Sequence, residues 1–266
     1  MAECVWITGA SSGIGEALAK QFAAKGDSLI LSARREAELE RVKADLVSEG
    51  ANADDVFVLP FDVLDYDAYD AVLEKAMAFK NGPTFLINNA GVSQRSLAID
   101  TDMDTYRKLI ELDVIAQIAL TKALLPTFVE RKAGHIMIIA SVAGKVGVPY
   151  RTGYCAAKHA VMGFYDALRA EVEHMGIKVT TVTPGFIQTN IAINALKGDG
   201  TAFAKQDANI ATGMDVTKCA TMIMKGLAKG KREIPVAKWG EYRALILKRL
   251  APNTLFNIVS KMGIPK

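Results

Sequence analysis

Cysteine is scarce in this 266-residue chain: Cys4, Cys155 and Cys219 form an odd set without pattern. Such a set excludes a disulfide framework and a zinc-thiolate cluster, and it suits a reducing compartment, the cytoplasm. The three histidines, His135, His159 and His174, stand at no ligand spacing from a cysteine or a carboxylate pair, so no metal is implied. No run of about eighteen apolar residues occurs, and no membrane-spanning segment is expected. Cys4-Val5-Trp6-Ile7 enters a strand at once, which leaves no room for a signal peptide. Repeats, low-complexity tracts and linker-like stretches are missing too. An excess of one charge is also missing overall, since the net charge is only +3. Its distribution is uneven. From Lys229 onward nine basic residues face two acidic ones, Glu233 and Glu241, giving +7 and leaving −4 for residues 1–228. The acidic remainder and the lack of a recognition motif argue against a nucleic-acid partner. A membrane surface or an acidic partner subunit suits the basic tail better.

Half of the residues are hydrophobic, enough for one large core. Short β-branched runs alternate with longer amphipathic stretches, the pattern of βαβ units around a parallel sheet. Strands are expected near Val5–Thr8, Ser28–Ser32, Val56–Leu59, Phe85–Asn88, His135–Ser141, Lys178–Thr183 and Glu233–Val236. Helices are expected near Gly13–Lys25, Glu36–Glu49, Tyr66–Phe79, Met103–Lys132, Thr152–Met175 and Asp215–Lys229, with a break or kink at Pro126. The fold class is therefore α/β, with residues 1–266 as one domain. Residues 191–213, weakly periodic and rich in Gly, Asn and Asp, read as a mobile lid on the substrate side. Residues 239–266 read as an amphipathic C-terminal extension broken by Pro252.

Two constellations carry chemistry. Thr8-Gly9-Ala10-Ser11-Ser12-Gly13-Ile14-Gly15 follows a strand and opens a helix, the context in which glycines let the backbone approach a pyrophosphate. The helix N-terminus there offers unpaired N–H groups and a positive dipole end; a plain tight turn is the alternative. Tyr154 and Lys158, four residues apart, share a helix face, and Ser141 lies thirteen residues upstream at a strand end. An ordinary tyrosine titrates near pH 10. A fixed cation beside it favours the phenolate, and Ser141 can hydrogen-bond a substrate oxygen. Together these groups suggest carbonyl reduction with a dinucleotide.

The glycine spacing, Asn88-Asn89-Ala90-Gly91, the Ser141/Tyr154/Lys158 set and Pro184-Gly185 together resemble the short-chain dehydrogenase/reductase family, in its branch of about 250 residues. Ser93-Gln94-Arg95-Ser96-Leu97, Tyr106 through Leu112, Gly153-Tyr154-Cys155-Ala156 and Leu250-Ala251-Pro252 look like the subgroup of microsomal carbonyl, steroid and retinoid reductases related to 11β-hydroxysteroid dehydrogenase. The resemblance implies a Rossmann-type, doubly wound, seven-stranded parallel sheet and a homodimer or homotetramer. It implies that Tyr154 is the general acid in reduction and the base in oxidation. Lys158 would hold the nicotinamide ribose, and Ser141 would stabilise the developing oxyanion. Gly9, Ser11, Ser12, Gly13, Ile14 and Gly15 would cradle the cofactor, with Asn89, Ala90 and Gly91 lining its cleft. Asp62 and Val63 would meet the adenine, and Pro184, Gly185, Ile187 and Thr189 the carboxamide. Asp62 also reads as a loop carboxylate, and Thr189 as a helix N-cap.

Cofactor choice rests on the end of the second strand. An acid there accepts from the ribose of NAD, whereas arginine accommodates a 2′-phosphate. The chain reads Leu31-Ser32-Ala33-Arg34-Arg35 with no acid until Glu36, so NADP is expected. A solvated helix N-terminus is the alternative for Arg34 and Arg35. One departure stands out: the family's catalytic asparagine is replaced by Asp113 in Glu111-Leu112-Asp113-Val114, unless a one-residue shift puts Asp113 elsewhere. An aspartate accepts the same bonds but cannot donate, and near Lys158 it would offset part of the cation's effect on Tyr154. The expected activity is hydride transfer between NADP(H) and a small-molecule carbonyl or secondary alcohol, on an apolar substrate. A non-catalytic dinucleotide-binding regulator on the same fold is the alternative. For the C-terminal extension, an ordinary docked helix stands against weak peripheral membrane contact.

Overall fold

In a computed structural model, residues 2–206 and 208–262 are described. The first strand, β1 (Cys4–Thr8), is buried along its whole length. Val5 and Ile7 enter the core on one face and Cys4 and Trp6 the core on the other. Burial on both faces is why parallel strands read as continuous apolar runs and not as alternating ones. The same logic builds β2 (Ser28–Ser32), β3 (Val56–Val58), β4 (Phe85–Asn88), β5 (Gly134–Ile139), β6 (Ile177–Pro184) and β7 (Glu233–Val236). They form one seven-stranded sheet in the order β3-β2-β1-β4-β5-β6-β7, every pair parallel, with Val5 opposite Leu29 on one side and Phe85 on the other. The expected seven-stranded, doubly wound architecture is the observed one.

Helices α1 (Gly13–Ala24), α2 (Glu36–Ser48), α3 (Tyr69–Ala78), α4 (Met103–Ile110), α5 (Ala116–Arg131), α6 (Thr152–Val172), the short α7 (Ala208–Ala211) and α8 (Val216–Ala228) follow the strands. α1, α2 and α8 cover one face; α3, α5 and α6 cover the other. The chain ends in α9 (Trp239–Leu250) and α10 (Pro252–Val259), with Pro252 in the first turn of α10, where its missing N–H costs nothing.

One expectation is corrected. Met103–Lys132 is interrupted at a π-helical turn over Glu111–Ile115, while Pro126 sits inside α5. Asp113 lies buried within that turn, where its carboxylate meets the Val92 amide and Lys158. Met103–Arg131 is also long and apolar enough to cross a membrane. Its Leu109, Val114, Leu120, Leu124 and Phe128 nevertheless fill the interior alongside buried Asp113 and Gln117, as in a core helix. The segment read as a lid, residues 191–213, is bonded to the body of the protein. Its first half is pinned: Leu196 N–H donates to the Ser93 carbonyl (2.8 Å), Arg95 N–H donates to the Leu196 carbonyl (2.8 Å), and Thr105 Oγ1 donates to the Gly198 carbonyl (2.9 Å). Residue 207 of that segment and residues 263–266 of the C-terminal extension lie outside the described residues.

Candidate active site

The cleft opens where the sheet order reverses between β1 and β4, the switch point at which open α/β sheets bind ligands. Gly9 turns the chain with φ +64, and a Cβ on Gly15 would lie 2.4 Å from the Gly9 carbonyl, so no other residue fits that approach. Asn89 Nδ2 donates to the Thr8 and Gly9 carbonyls (3.0 and 3.1 Å), and Thr8 Oγ1 accepts from the Asn89 and Ala90 amides. Asn89 thus braces the glycine turn and does not offer its amide to the cleft. Ser11 is buried, and Ile14 packs partly buried on the core. Ser12 is the N-cap of α1 with extended backbone, yet its hydroxyl makes no capping bond. The first amides of α1 and the Ser12 hydroxyl are therefore available to a phosphate, which is what a pyrophosphate cradle requires. The Thr189 methyl lies 3.2 Å from where a Gly13 Cβ would be, so the segment after Pro184-Gly185 closes the opposite wall. Thr189 Oγ1 accepts from the Ile191 amide (3.4 Å), close to the N-cap alternative, and Ile187 is buried. Asp62 accepts from the Leu64 amide (3.0 Å), and the Val63 carbonyl accepts from Tyr69 (2.8 Å). Arg34 and Arg35 follow β2, both exposed, and neither side chain has a hydrogen bond or ion pair among the described residues.

Ser141 lies two residues beyond β5. Its Oγ accepts from the Ala143 amide (3.1 Å) and donates to the Pro184 carbonyl (3.4 Å), which ties it to the other wall. Tyr154 and Lys158 come from the first turns of α6, both buried, with Lys158 Nζ 5.6 Å from the centre of the Tyr154 ring. Val148, Ala143 and Cys155 pack around Tyr154, giving it an apolar surround. Lys158 Nζ donates to the Ile139 carbonyl (3.3 Å) and pairs with Asp113 Oδ2 at 3.4 Å. Asp113 is completely buried, and its Oδ1 accepts from the Val92 amide (2.8 Å). A Cβ on Gly91 would meet that oxygen at 3.0 Å. Burial drives the Asp113 carboxyl above its ordinary range, against the pull of Lys158 and the Val92 amide. For Lys158, burial works against the ammonium, but the charges of Asp113 and Tyr154 outweigh it and raise the group. The two shifts pull the pair in opposite directions. We read the pair as ionised, because Asp113 Oδ1 accepts from the Val92 amide and Oδ2, which has no hydrogen bond, lies 3.4 Å from the Lys158 ammonium. The expectation that Asp113 stands beside Lys158 is met.

Three residues escaped the sequence reading. Arg41 binds Glu16 with both nitrogens (3.1 Å) and donates to the Ser11 carbonyl (3.2 Å), clamping the glycine turn from α2. Glu241 reaches from α9 to accept from the Phe186 amide (2.7 Å), and a Cβ on Gly185 would strike its carboxylate, so Gly185 is what lets α9 dock here. Gln94 lies fully buried beside Tyr154. Only Gln94 carried a signal, inside the Ser93–Leu97 stretch; for Arg41 and Glu241 nothing local marks a contact 25 or 55 residues away.

A fold that binds dinucleotides, a glycine cradle and a Ser-Tyr-Lys set converge on one class, and the family profile for short chain dehydrogenases matches residues 3–199. The chain belongs to the short-chain dehydrogenase/reductase family and is an oxidoreductase of that type. It is similar to human dehydrogenase/reductase SDR family member 7, 40% identical over 261 residues that cover 97% of this chain and 77% of that one. Among solved structures, a Sphingobium yanoikuyae short-chain dehydrogenase in complex with NADPH superposes with a TM-score of 0.76 at 26% identity, covering 99% of both chains. A Burkholderia phymatum enzyme in complex with NAD gives 0.81 at 22% identity, covering 100% of this chain and 98% of that one, a likeness of fold alone.

Proposed function

We propose that this protein reduces apolar carbonyl compounds with NADPH and oxidises the corresponding secondary alcohols in reverse. The observation that carries the cofactor choice is the exposed pair Arg34 and Arg35 just after β2, without a hydrogen bond or ion pair among the described residues and with no acid before Glu36. A fork of guanidinium donors there suits a 2′-phosphate, and the S. yanoikuyae relative holds NADPH. When bound, the cofactor supplies or accepts the hydride. Ser141 holds the carbonyl oxygen as charge develops on it. Tyr154 delivers a proton to that oxygen, so the carbonyl gains one hydride and one proton. Lys158 holds positive charge beside the ring, and Asp113 fixes its position. The apolar surround of Tyr154 favours an apolar substrate.

Substituting Arg34→Ala tests the cofactor reading. A charged hydrogen bond contributes roughly 1.5–3 kcal/mol, so NADPH affinity should fall by about 10- to 150-fold while NADH affinity stays level; equal losses for both would refute the choice. For the assembly we infer a homodimer or homotetramer, because the α3–α5 face leaves a shallow apolar groove with Ile115, Ile118 and Pro126 at the surface. For the compartment we infer the cytoplasm, in keeping with three free, buried cysteines.

A further inference from the structure

We propose that Gln94 is a positioning residue for Tyr154, capping the catalytic helix from a distant strand-like segment while that segment seats the lid. The inference rests on Tyr154 being the proton donor. The first amides of any helix lack intrahelical acceptors, and a side chain at the N-cap commonly accepts from the second or third of them. In α6 the N-cap is Arg151, which makes no such bond. Gln94, 59 residues upstream of Gly153, supplies the acceptor instead. Its Oε1 takes the Gly153 amide at 2.7 Å and the Tyr154 amide at 3.3 Å. Its Nε2 donates to Ser96 Oγ (3.1 Å) and Thr101 Oγ1 (3.2 Å), so every polar atom of a fully buried side chain is used. The two hydroxyls are themselves joined at 2.7 Å, and Thr101 Oγ1 donates to the Leu97 carbonyl (2.6 Å), which holds the amide in one orientation.

Gln94 and its two chain neighbours, Ser93 and Arg95, also face the lid. Gln94 pairs with Leu196 in a parallel bridge, and the flanking Ser93 carbonyl and Arg95 amide bond Leu196 on both sides. One short segment therefore grips the lid with its backbone and the Tyr154 turn with its side chain. Lys158 lies one turn further along α6 and has its own anchors, Ile139 and Asp113. Loss of the Gln94 acceptor should accordingly loosen Tyr154 and spare the cofactor side of the site.

The test compares Gln94→Met, which keeps size and loses both functions, with Gln94→Glu, which keeps two acceptor oxygens. In the Glu variant the Ser96 hydroxyl can turn to donate to one carboxylate oxygen, while the other accepts from the Gly153 and Tyr154 amides and Thr101 keeps its bond to the Leu97 carbonyl. Hydrogen exchange of the peptide spanning residues 150–158 reads the cap without any substrate. Turnover of 9,10-phenanthrenequinone with NADPH reads the chemistry, and NADPH fluorescence titration reads cofactor binding. In the Met variant we expect faster exchange at Gly153 and Tyr154, kcat lower by about 10- to 100-fold, as for displacements near 1 Å, and NADPH affinity within about twofold of the parent. The Glu variant should restore slow exchange and most of kcat. Should Gln94→Met fail to fold, Gln94→Asn, one methylene too short to reach Gly153, carries the same expectation. Tyr154→Phe is the control that separates two failures. If it stays active, the proton-donor reading falls and takes this inference with it. If it is inactive while Gln94→Met keeps the parent's exchange or its kcat, only the role of Gln94 is overturned.

Discussion

Asp113→Asn is the perturbation that asks most of the site, because the charge it removes sits in a dry place. Lys158 Nζ is 3.4 Å from Asp113 Oδ2 and 5.6 Å from the centre of the Tyr154 ring, so that oxygen lies within 9.0 Å of the ring. The phenolate oxygen lies beyond the ring centre, and at an effective dielectric near 20 two unit charges roughly 9–12 Å apart interact by about 1.4–1.8 kcal/mol. The sign follows from like charge: an ionised Asp113 opposes the Tyr154 phenolate, and its removal favours the phenolate. The reduction needs the protonated phenol, so its alkaline limb should move down by about one pH unit. The oxidation needs the phenolate, and its acidic limb should move down by the same amount. The Val92 amide keeps an acceptor in the asparagine oxygen, so kcat at the optimum should be unchanged or improved. Rates of 9,10-phenanthrenequinone reduction from pH 5 to 10 in both proteins provide the measurement. An unmoved limb would mean that Asp113 is neutral or shielded in the active enzyme, and a large fall in kcat would give the aspartate a role of its own.

Replacing Tyr154 by Phe should lower kcat by about 10²–10⁴, the usual contribution of a general acid, with NADPH affinity nearly intact; retention of half the activity would remove Tyr154 from the chemistry. His135 stacks on Phe85 at 4.0 Å and bonds Thr180 Oγ1 at 2.8 Å, and burial, aided by Lys178, pushes its pKa down to about 4. Its neutral ring therefore contributes stability above pH 6.5 that is lost as pH falls through about 4. Urea unfolding of His135→Gln should be flatter across that window by about 3 kcal/mol at most, and an identical pH slope would refute the assignment. Trp239, Tyr242, Ile246, Leu250 and Phe256 are exposed on α9 and α10 among Arg243, Lys248 and Arg249. Flotation should recover the protein with phosphatidylserine vesicles at low salt and not at high salt, and no recovery at low salt would leave this segment only a covering or subunit role.

Much of this was legible in the chain because the information was local. Each strand announced itself as a short apolar run, and Tyr154, Lys158 and Ser141 needed only a helix and a strand end to converge. What stayed hidden depended on non-local partners. Nothing in Glu111–Ile115 marks a π-helical turn; that turn is explained only once Val92 and Lys158 are in place to receive Asp113. Pro126 looked like the obvious breaker, yet its neighbours fill the core and keep the helix running. Residues 191–213 read as loose from their own composition, and their bonds to Ser93, Arg95 and Thr105 are non-local. Asn89 was read as lining the cofactor cleft, and its brace on the Thr8–Gly9 turn, 80 residues away in sequence, was not legible.

The π-helical turn also sets the phase of everything after it. In a regular helix each residue advances about 100° around the axis, from 3.6 residues per turn. Deleting one residue from Glu111–Ile115 would satisfy an ordinary helix and rotate the remainder of α5 by that angle against the sheet. Leu120, Leu124 and Phe128, all buried, would swing off the core, and exposed positions would swing in. The surplus residue is thus a shared gear tooth: the aspartate that meets Lys158 and the seam along which α5 meshes with its neighbours are cut by the same offset. The side chain at position 113 and the count of residues between Asp113 and Phe128 are therefore separate constraints, the first answering to Lys158 and Val92 and the second to the core.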